Sequence, residues 1–126
     1  MRIYKEFTFE AAHFLPTASE TSANRRIHGH SFRARVTVEG SPDRETGVIV
    51  DLGTIEAVLV SVKEKLDHHF LNEDVEGLAL PTLENIALWI WSEIETELPD
   101  IFEVAVMRES CNEGCVYRGS QHKKND

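Results

Sequence analysis

A stretch of twelve residues with strict alternation constrains the fold of this chain more than any other feature. Between residues 28 and 39, even positions carry apolar residues or histidine, and odd positions carry mostly polar ones. Because successive side chains of a β-strand point to opposite faces, the pattern predicts a strand with one buried face and one polar face. The buried set is His28, His30, Phe32, Ala34, Val36 and Val38, and the polar set includes Arg33, Arg35, Thr37 and Glu39.

The remaining patterns predict a single α+β domain over residues 1–120, with an antiparallel four-stranded sheet and two helices on one face. Thr54 is expected to cap the first helix, and Thr82 the second, which Pro99 ends. The predicted elements are strands at 2–13, 28–39, 101–109 and 115–118, a short buried strand at 48–50, a helix over 54–67, polar loops at 14–27 and 72–80, and a disordered tail over 121–126.

Charge and hydropathy exclude some classes of partner. A net charge of −9 argues against nucleic acid, because neutralising phosphates needs a basic face. The apolar runs are far shorter than a bilayer span and the N-terminus is polar, so we expect a cytoplasmic protein without membrane contact. An anionic small substrate remains compatible with local cations, of which the candidates are Arg25, Arg26, Arg33, Arg35, Arg108 and Arg118.

The two cysteines, Cys111 and Cys115, lie close together near the C-terminus. A disulfide is not expected in a cytosolic chain, and two thiols cannot complete a four-thiolate zinc site. We interpret them as packed or loop thiols.

Three histidines lie on buried strand faces and near strand ends. His28 and His30 share one face, with Gly29 between them, and His13 ends the apolar face of strand 2–13. Three neutral imidazoles with an open fourth position are typical of a catalytic zinc site. The sequence therefore predicts a divalent metal, with zinc as the first choice. The alternative is an ordinary set of hydrogen-bonded core and surface histidines.

Two further positions could carry chemistry. Asp67 could hold the ring of His68 as a general acid or base, but His68 could equally serve as a helix C-terminal cap. Glu109, just before a turn, could accept two hydrogen bonds from a guanidine-like edge, or simply face solvent. The residues alone leave both alternatives open.

Five motifs together resemble the 6-pyruvoyl-tetrahydropterin synthase and 6-carboxytetrahydropterin synthase family, and the bacterial carboxytetrahydropterin branch more than the animal branch. The resemblance runs in order from about residue 3 to 119. The motifs are Phe9-Glu10-Ala11-Ala12-His13, His28-Gly29-His30, Leu66-Asp67-His68-His69-Phe70-Leu71-Asn72, Pro81-Thr82-Leu83-Glu84-Asn85 and Glu109-Ser110-Cys111-Asn112-Glu113-Gly114-Cys115.

The resemblance implies a tunnelling fold, assembled as a homohexamer of two stacked trimers with active sites at subunit interfaces. It implies zinc held by His13, His28 and His30, and a catalytic pair of Asp67 and His68. It further implies that Glu109 anchors the pterin ring and that Thr82 lies in a segment contributed by a neighbouring subunit. The implied reaction converts 7,8-dihydroneopterin triphosphate with loss of triphosphate and acetaldehyde, in queuosine (7-deazaguanine) biosynthesis.

One position departs from the family pattern. The family's catalytic cysteine lies four residues before the first histidine of the His-Gly-His motif, where this chain has Asn24, kept here as a substrate-binding candidate. A carboxamide cannot remove a carbon-bound proton as a thiolate does. His68 as the sole base and Glu20 are both open as substitutes. A paralogue with different pterin chemistry and a non-catalytic pterin- or metal-binding protein are the alternative functions.

Overall fold

The computed structural model describes residues 1–120, which form five strands and three helices. The predicted single domain over 1–120 stays a prediction, and the predicted tail over 121–126 lies outside the described residues. Within that range, no helix is long and apolar enough to cross a bilayer. The elements are β1 (Arg2–His13), β2 (His28–Glu39), α1 (Leu52–Leu66), β3 (His69–Phe70), α2 (Leu71–Asp74), α3 (Leu83–Ile94), β4 (Ile101–Arg108) and β5 (Glu113–Tyr117).

The sheet has the strand order β3-β1-β2-β4-β5. The long pair β1–β2 is antiparallel along its whole length, from Arg2 opposite Glu39 to His13 opposite His28. β4 and β5 extend the sheet antiparallel, whereas β3 pairs parallel with β1. The prediction of four antiparallel strands is therefore wrong in two details. β3 is only two residues long, too short to produce an alternating pattern.

The helices α1 and α3 cover one face of the sheet, so the predicted α+β class with helices on one face is confirmed. In the core between the helices and the sheet, the rings of Phe9 and Phe32 stack across β1 and β2 with centroids 4.8 Å apart. Burying each such ring contributes about 1.5–3 kcal/mol. The same Phe32 ring contacts those of His13 and His30 edge-on, at 5.7 and 5.5 Å. The core therefore supports the histidine cluster directly.

Some predicted boundaries are wrong, each for a local reason. Residues 48–50 do not form a strand: Ile49 and Val50 lie in a bend and pack on the core without strand pairing. Asp51, not Thr54, caps α1, because its carboxylate accepts the Gly53 N–H at 2.8 Å. The predicted loop 72–80 begins inside the short helix α2.

The second predicted helix and the last strands also differ in extent. Thr82 caps α3 as predicted, but regular α-helix ends at Ile94, before Pro99. β4 ends at Arg108, so Glu109 lies in a 3₁₀ turn (Glu109–Cys111), and β5 begins at Glu113. The left-handed residue Asn112 closes that turn.

Candidate metal centre and adjoining clefts

The ends of β1 and β2 bring three histidine rings together. His13 lies opposite His28, and His30 lies opposite Ala11, on the helix-covered side of the sheet. Ring centroids are 4.6 Å apart for His13 and His28, 5.2 Å for His13 and His30, and 4.7 Å for His28 and His30. One ligand nitrogen from each ring lies within 4.8 Å of the others, a grouping that could hold a metal ion.

Backbone carbonyls determine which nitrogens of the cluster are protonated. His13 Nδ1 lies 2.9 Å from the Pro81 oxygen, and His28 Nδ1 lies 2.6 Å from the Arg26 oxygen. A carbonyl oxygen only accepts, so each Nδ1 donates and each neutral ring presents an unprotonated Nε2. These two Nε2 atoms are 3.0 Å apart. Two lone pairs at this distance repel, and a shared cation relieves the repulsion, with nitrogens about 3.3 Å apart around a tetrahedral zinc.

The unpaired nitrogen of His30 and the lowered pKa values of His13 and His30 are both compatible with metal binding. His30 Nε2 is buried and has no hydrogen-bond partner among the described residues. Burial lowers the pKa of His13 to about 4, with smaller contributions from His28 and His30, against the opposing effect of the Pro81 hydrogen bond. Burial, followed by the charge of Arg108, also lowers the pKa of His30. Both rings are therefore neutral near pH 7, the form that binds metals.

Asp67 and His68 meet just after α1. Asp67 Oδ2 accepts a hydrogen bond from His68 Nδ1 at 3.0 Å, because His68 has φ = 60°, a left-handed conformation rare outside glycine. Asp67 Oδ1 accepts the Glu10 backbone N–H at 2.8 Å, which holds the pKa of Asp67 below its usual value. The sequence left this geometry open, and a strained residue after a helix carries no sequence signal.

His30 and His68 line one cleft of about 510 Å³. Its other walls include Glu10, Gly29 and Ser31. With Nδ1 held by Asp67, the ring of His68 keeps Nε2 for proton transfer, and its side chain is 80% exposed. One residue of the cluster and one residue of the Asp67–His68 pair therefore line the same cleft.

Glu109 lies in a second cleft of about 280 Å³, on the exposed face of the sheet. Its Oε1 accepts a hydrogen bond from Arg33 Nε at 2.8 Å, a contact that sequence reasoning missed because the residues are 76 positions apart. Glu10 and Ser31 line this cleft as well as the first. Ser31 Oγ donates to Glu10 Oε2 at 2.6 Å.

Of the two remaining substrate-binding candidates, Thr82 is the chain neighbour of Pro81, which contacts the histidine cluster, whereas Asn24 lies outside both clefts. Thr82 Oγ1 accepts the Asn85 N–H at 3.1 Å, one residue after the Pro81 carbonyl that holds His13. Asn24 lies in an exposed 3₁₀ turn (Ala23–Arg25) and lines neither cleft. Among the described residues, its side chain has no hydrogen-bond partner. The structure links Thr82 to the histidine cluster but not Asn24.

Arg108 and Cys115 lie on the same face of the sheet as the cluster. Arg108, whose side chain is 13% exposed, donates to Glu113 at 2.9 Å, and its Nε has no partner within residues 1–120. Cys115 donates to the Leu83 carbonyl oxygen at 3.2 Å, and burial raises the pKa of its thiol. Both cysteines are free, as predicted, and Cys115 is not an activated thiol.

Comparisons with known proteins show which family this chain is similar to. A family model described as 6-pyruvoyl tetrahydropterin synthase matches residues 2–120. A 6-carboxy-5,6,7,8-tetrahydropterin synthase of Synechocystis is 43% identical over 121 residues, 91% of each chain. A dihydroneopterin monophosphate aldolase of Pyrococcus furiosus is 36% identical over 113 residues, 90% of each chain.

A solved structure supports the fold independently. The 6-pyruvoyl tetrahydropterin synthase of Caenorhabditis elegans has a TM-score of 0.85 at 23% identity, over 95% of this chain and 96% of that chain. The expected tunnelling fold is thereby confirmed. With the family match over nearly the whole chain, it follows that this chain belongs to the 6-pyruvoyl tetrahydropterin synthase family.

Proposed function

We propose that this protein is a zinc-dependent pterin lyase of the 6-carboxytetrahydropterin synthase type. Its substrate would be 7,8-dihydroneopterin triphosphate, cleaved with loss of triphosphate and acetaldehyde, in queuosine biosynthesis. The observation that carries the proposal is the cluster of three histidines that could hold a metal ion, one of which, His30, lines a cleft together with His68. The similarity to the Synechocystis 6-carboxytetrahydropterin synthase over 91% of the chain supports the choice of reaction.

The metal would be held by His13, His28 and His30. Nitrogen ligands suit zinc, and zinc-binding histidines commonly donate their other N–H to a backbone carbonyl, as His13 and His28 do here. When bound, zinc supplies a Lewis acid that lowers the pKa of side-chain hydroxyl groups of the substrate.

The chain's own residues would bind the substrate and move protons. His68, which lines the cleft, acts as the general acid–base, with Asp67 holding its Nδ1–H and leaving Nε2 for proton transfer. The carboxylate of Glu109 anchors the pterin by accepting two parallel N–H donors from the guanidine-like edge of the pterin ring. Thr82 and Asn24 are the remaining substrate-binding candidates.

The site would be completed in a cytoplasmic homohexamer of two trimers. Glu109 is 63% exposed and His68 is 80% exposed, so both groups are accessible to a neighbouring subunit. Thr82 would then act on a substrate held mainly by another protomer. Sedimentation velocity at several concentrations tests the assembly.

Product analysis tests the reaction. The zinc-loaded protein is incubated with 7,8-dihydroneopterin triphosphate, and acetaldehyde, triphosphate and pterin products are quantified by chromatography. We expect acetaldehyde and triphosphate in equal amounts, and none from protein treated with a chelator. Absence of turnover by the zinc-loaded protein would refute the proposed reaction.

A second candidate is a paralogue that cleaves the side chain of another reduced pterin. It is favoured by Asn24 in place of the family thiol and by the similarity to the Pyrococcus furiosus aldolase. The same assay with 7,8-dihydroneopterin monophosphate, and separately with sepiapterin, distinguishes the two. Aldehyde release from the monophosphate, without turnover of the triphosphate, would select this candidate.

A further inference from the structure

Arg108 places a positive charge on the same face of the sheet as the histidine cluster. Continuing the register of β2 and β4 by one pair sets Arg108 beside Phe32, whose ring contacts those of His13 and His30. After burial, the charge of Arg108 is the largest cause of the lowered pKa of His30. The guanidinium therefore lies close to the ring of one candidate metal ligand.

The guanidinium of Arg108 is buried, and the chain uses only part of its hydrogen-bonding capacity. Its side chain is 13% exposed, and Nη2 donates to Glu113 Oε1 at 2.9 Å, across β4 and β5. Its Nε is buried and has no hydrogen-bond partner within residues 1–120. A buried donor without a partner is costly, and more so on a charged group. This N–H is therefore available to a ligand that enters the buried side of the site.

The charge balance around the cluster favours a negatively charged ligand. The group that could hold a metal ion consists of three histidines, His13, His28 and His30, and histidine binds metals in its neutral form. Neutral ligands leave both charges of a divalent metal uncompensated, and Glu113 is already paired with Arg108. An anionic group of the ligand would be attracted both by the metal and by the guanidinium.

The setting of Arg108 favours a carboxylate over a phosphate chain. The N–H groups of a guanidinium lie in one plane in a fixed fork, which matches the geometry of a carboxylate. A triphosphate carries several negative charges and needs several cations, whereas Arg108 is one buried cation that also pairs with Glu113. The product of a 6-carboxytetrahydropterin synthase carries one carboxylate directly on the pterin ring.

We propose that Arg108 binds the carboxylate of a 6-carboxylated pterin and so forms an anion subsite beside the metal. This inference rests on the proposed function, because it needs a pterin held at the histidine cluster. It deepens that function by naming a residue that distinguishes a carboxylated pterin from a neutral one. A pterin with a neutral hydroxymethyl group at the same carbon gains nothing from this subsite.

The test compares two fluorescent probes, 6-carboxypterin and 6-hydroxymethylpterin, which differ in charge at the same ring carbon. Fluorescence titration of the zinc-loaded protein measures both Kd values. Arg108→Gln should raise the Kd of 6-carboxypterin about 10- to 100-fold and leave that of 6-hydroxymethylpterin within about threefold. Zinc content should equal that of the wild type. An equal loss of affinity for both probes would mean a structural role and would overturn the proposal.

A matched variant and a second pair of probes separate this subsite from other cations and from phosphate binding. Arg2→Gln removes a guanidinium that pairs with Glu39 at 2.7 Å, at the opposite end of β1 from His13, and should leave the selectivity unchanged. Neopterin triphosphate and neopterin differ only in phosphate, and Arg108→Gln should keep the ratio of their Kd values. If it changes that ratio and not the preference for 6-carboxypterin, the subsite holds phosphate and the proposal is overturned.

Further outcomes distinguish this proposal from the proposed function. If Arg108→Gln does not fold, Glu113→Gln replaces it. Removing the competing carboxylate should then lower the Kd of 6-carboxypterin alone, and no change would overturn the proposal. Selectivity lost in Arg108→Gln, with a wild type that does not turn over 7,8-dihydroneopterin triphosphate, would support the subsite and refute the reaction. Wild-type turnover with unchanged selectivity in Arg108→Gln would overturn the Arg108 assignment alone.

Discussion

The candidate site has a metal end, formed by His13, His28 and His30, and a proton-transfer end, formed by Asp67 and His68. The two ends differ in burial and in the number of hydrogen bonds that hold their side chains. At the metal end, His13 is fully buried, and His13 and His28 each donate to a backbone carbonyl. At the proton-transfer end, His68 is 80% exposed. Asn24, which the family pattern would assign to this end, is exposed, has no side-chain partner among the described residues and lines neither cleft. The register of two long strands sets the first end, whereas a loop and a strained residue set the second. The metal end is therefore the more constrained of the two. We infer that a change of reaction within the family would arise at the proton-transfer end.

The largest effect should come from removing one ligand of the metal end. His28→Ala leaves two imidazoles, too few to hold zinc tightly, so bound zinc should fall from about one equivalent to near zero. Elemental analysis after gel filtration measures this, and turnover should fall by about 1,000-fold or more. His68→Ala is the control, because it should lose activity but keep its metal. Zinc retained in His28→Ala would mean that the ligand set is wrong.

Next in size is the loss of the carboxylate that orients His68. In Asp67→Asn the amide can donate to Nδ1, which favours the wrong tautomer, and kcat should fall by about 100-fold or more. Asp74→Asn is a matched control, because Asp74, the last residue of α2, likewise accepts a backbone N–H, from Phe70. Equal activity of the two variants would remove the dyad from the proposed mechanism.

The burial of the metal end also predicts a pH dependence of stability in the metal-free protein. His13 has a folded-state pKa of about 4, below its ordinary value of 6.5, so the unfolded chain binds more protons between these values. Stability is therefore lost as the pH falls from 6.5 to 4, by about 3 kcal/mol. Urea unfolding at several pH values measures this change. In a His13→Ala variant, the free energy of unfolding should depend much less on pH. An equally steep dependence in that variant would show that His13 is not the cause.

The smallest expected effect comes from restoring a thiol at position 24, where the family has its catalytic cysteine. Asn24→Cys should raise turnover by about tenfold, and Asn24→Ser, which adds a hydroxyl without a thiolate, should not. Unchanged or lower turnover in Asn24→Cys would count against the alignment that places Asn24 at the cysteine position.

The two ends were also unequally predictable from the sequence. The alternation in β1 and β2 predicts which side chains share a face, so His13, His28 and His30 follow from local patterns. The carbonyls of Pro81 and Arg26 carry no side-chain signal, and the contact of Arg33 with Glu109 depends on the pairing of β2 with β4.

Short elements and strained residues set the limit of sequence reasoning. β3 has two residues, and it forms because the chain leaving α1 returns alongside β1. The positive φ of His68, which lets Asp67 reach its own neighbour, results from that return rather than from local propensity. The fold class could therefore be predicted, but the geometry of the proton-transfer end could not.

The most direct test of the proposed function is the stoichiometry of acetaldehyde and triphosphate released by the zinc-loaded wild type from 7,8-dihydroneopterin triphosphate. The proposed mechanism predicts equal amounts of both, increasing linearly with time and absent from the zinc-loaded Asp67→Asn variant beyond about one per cent. Stoichiometric zinc and bound pterin without either product would contradict it.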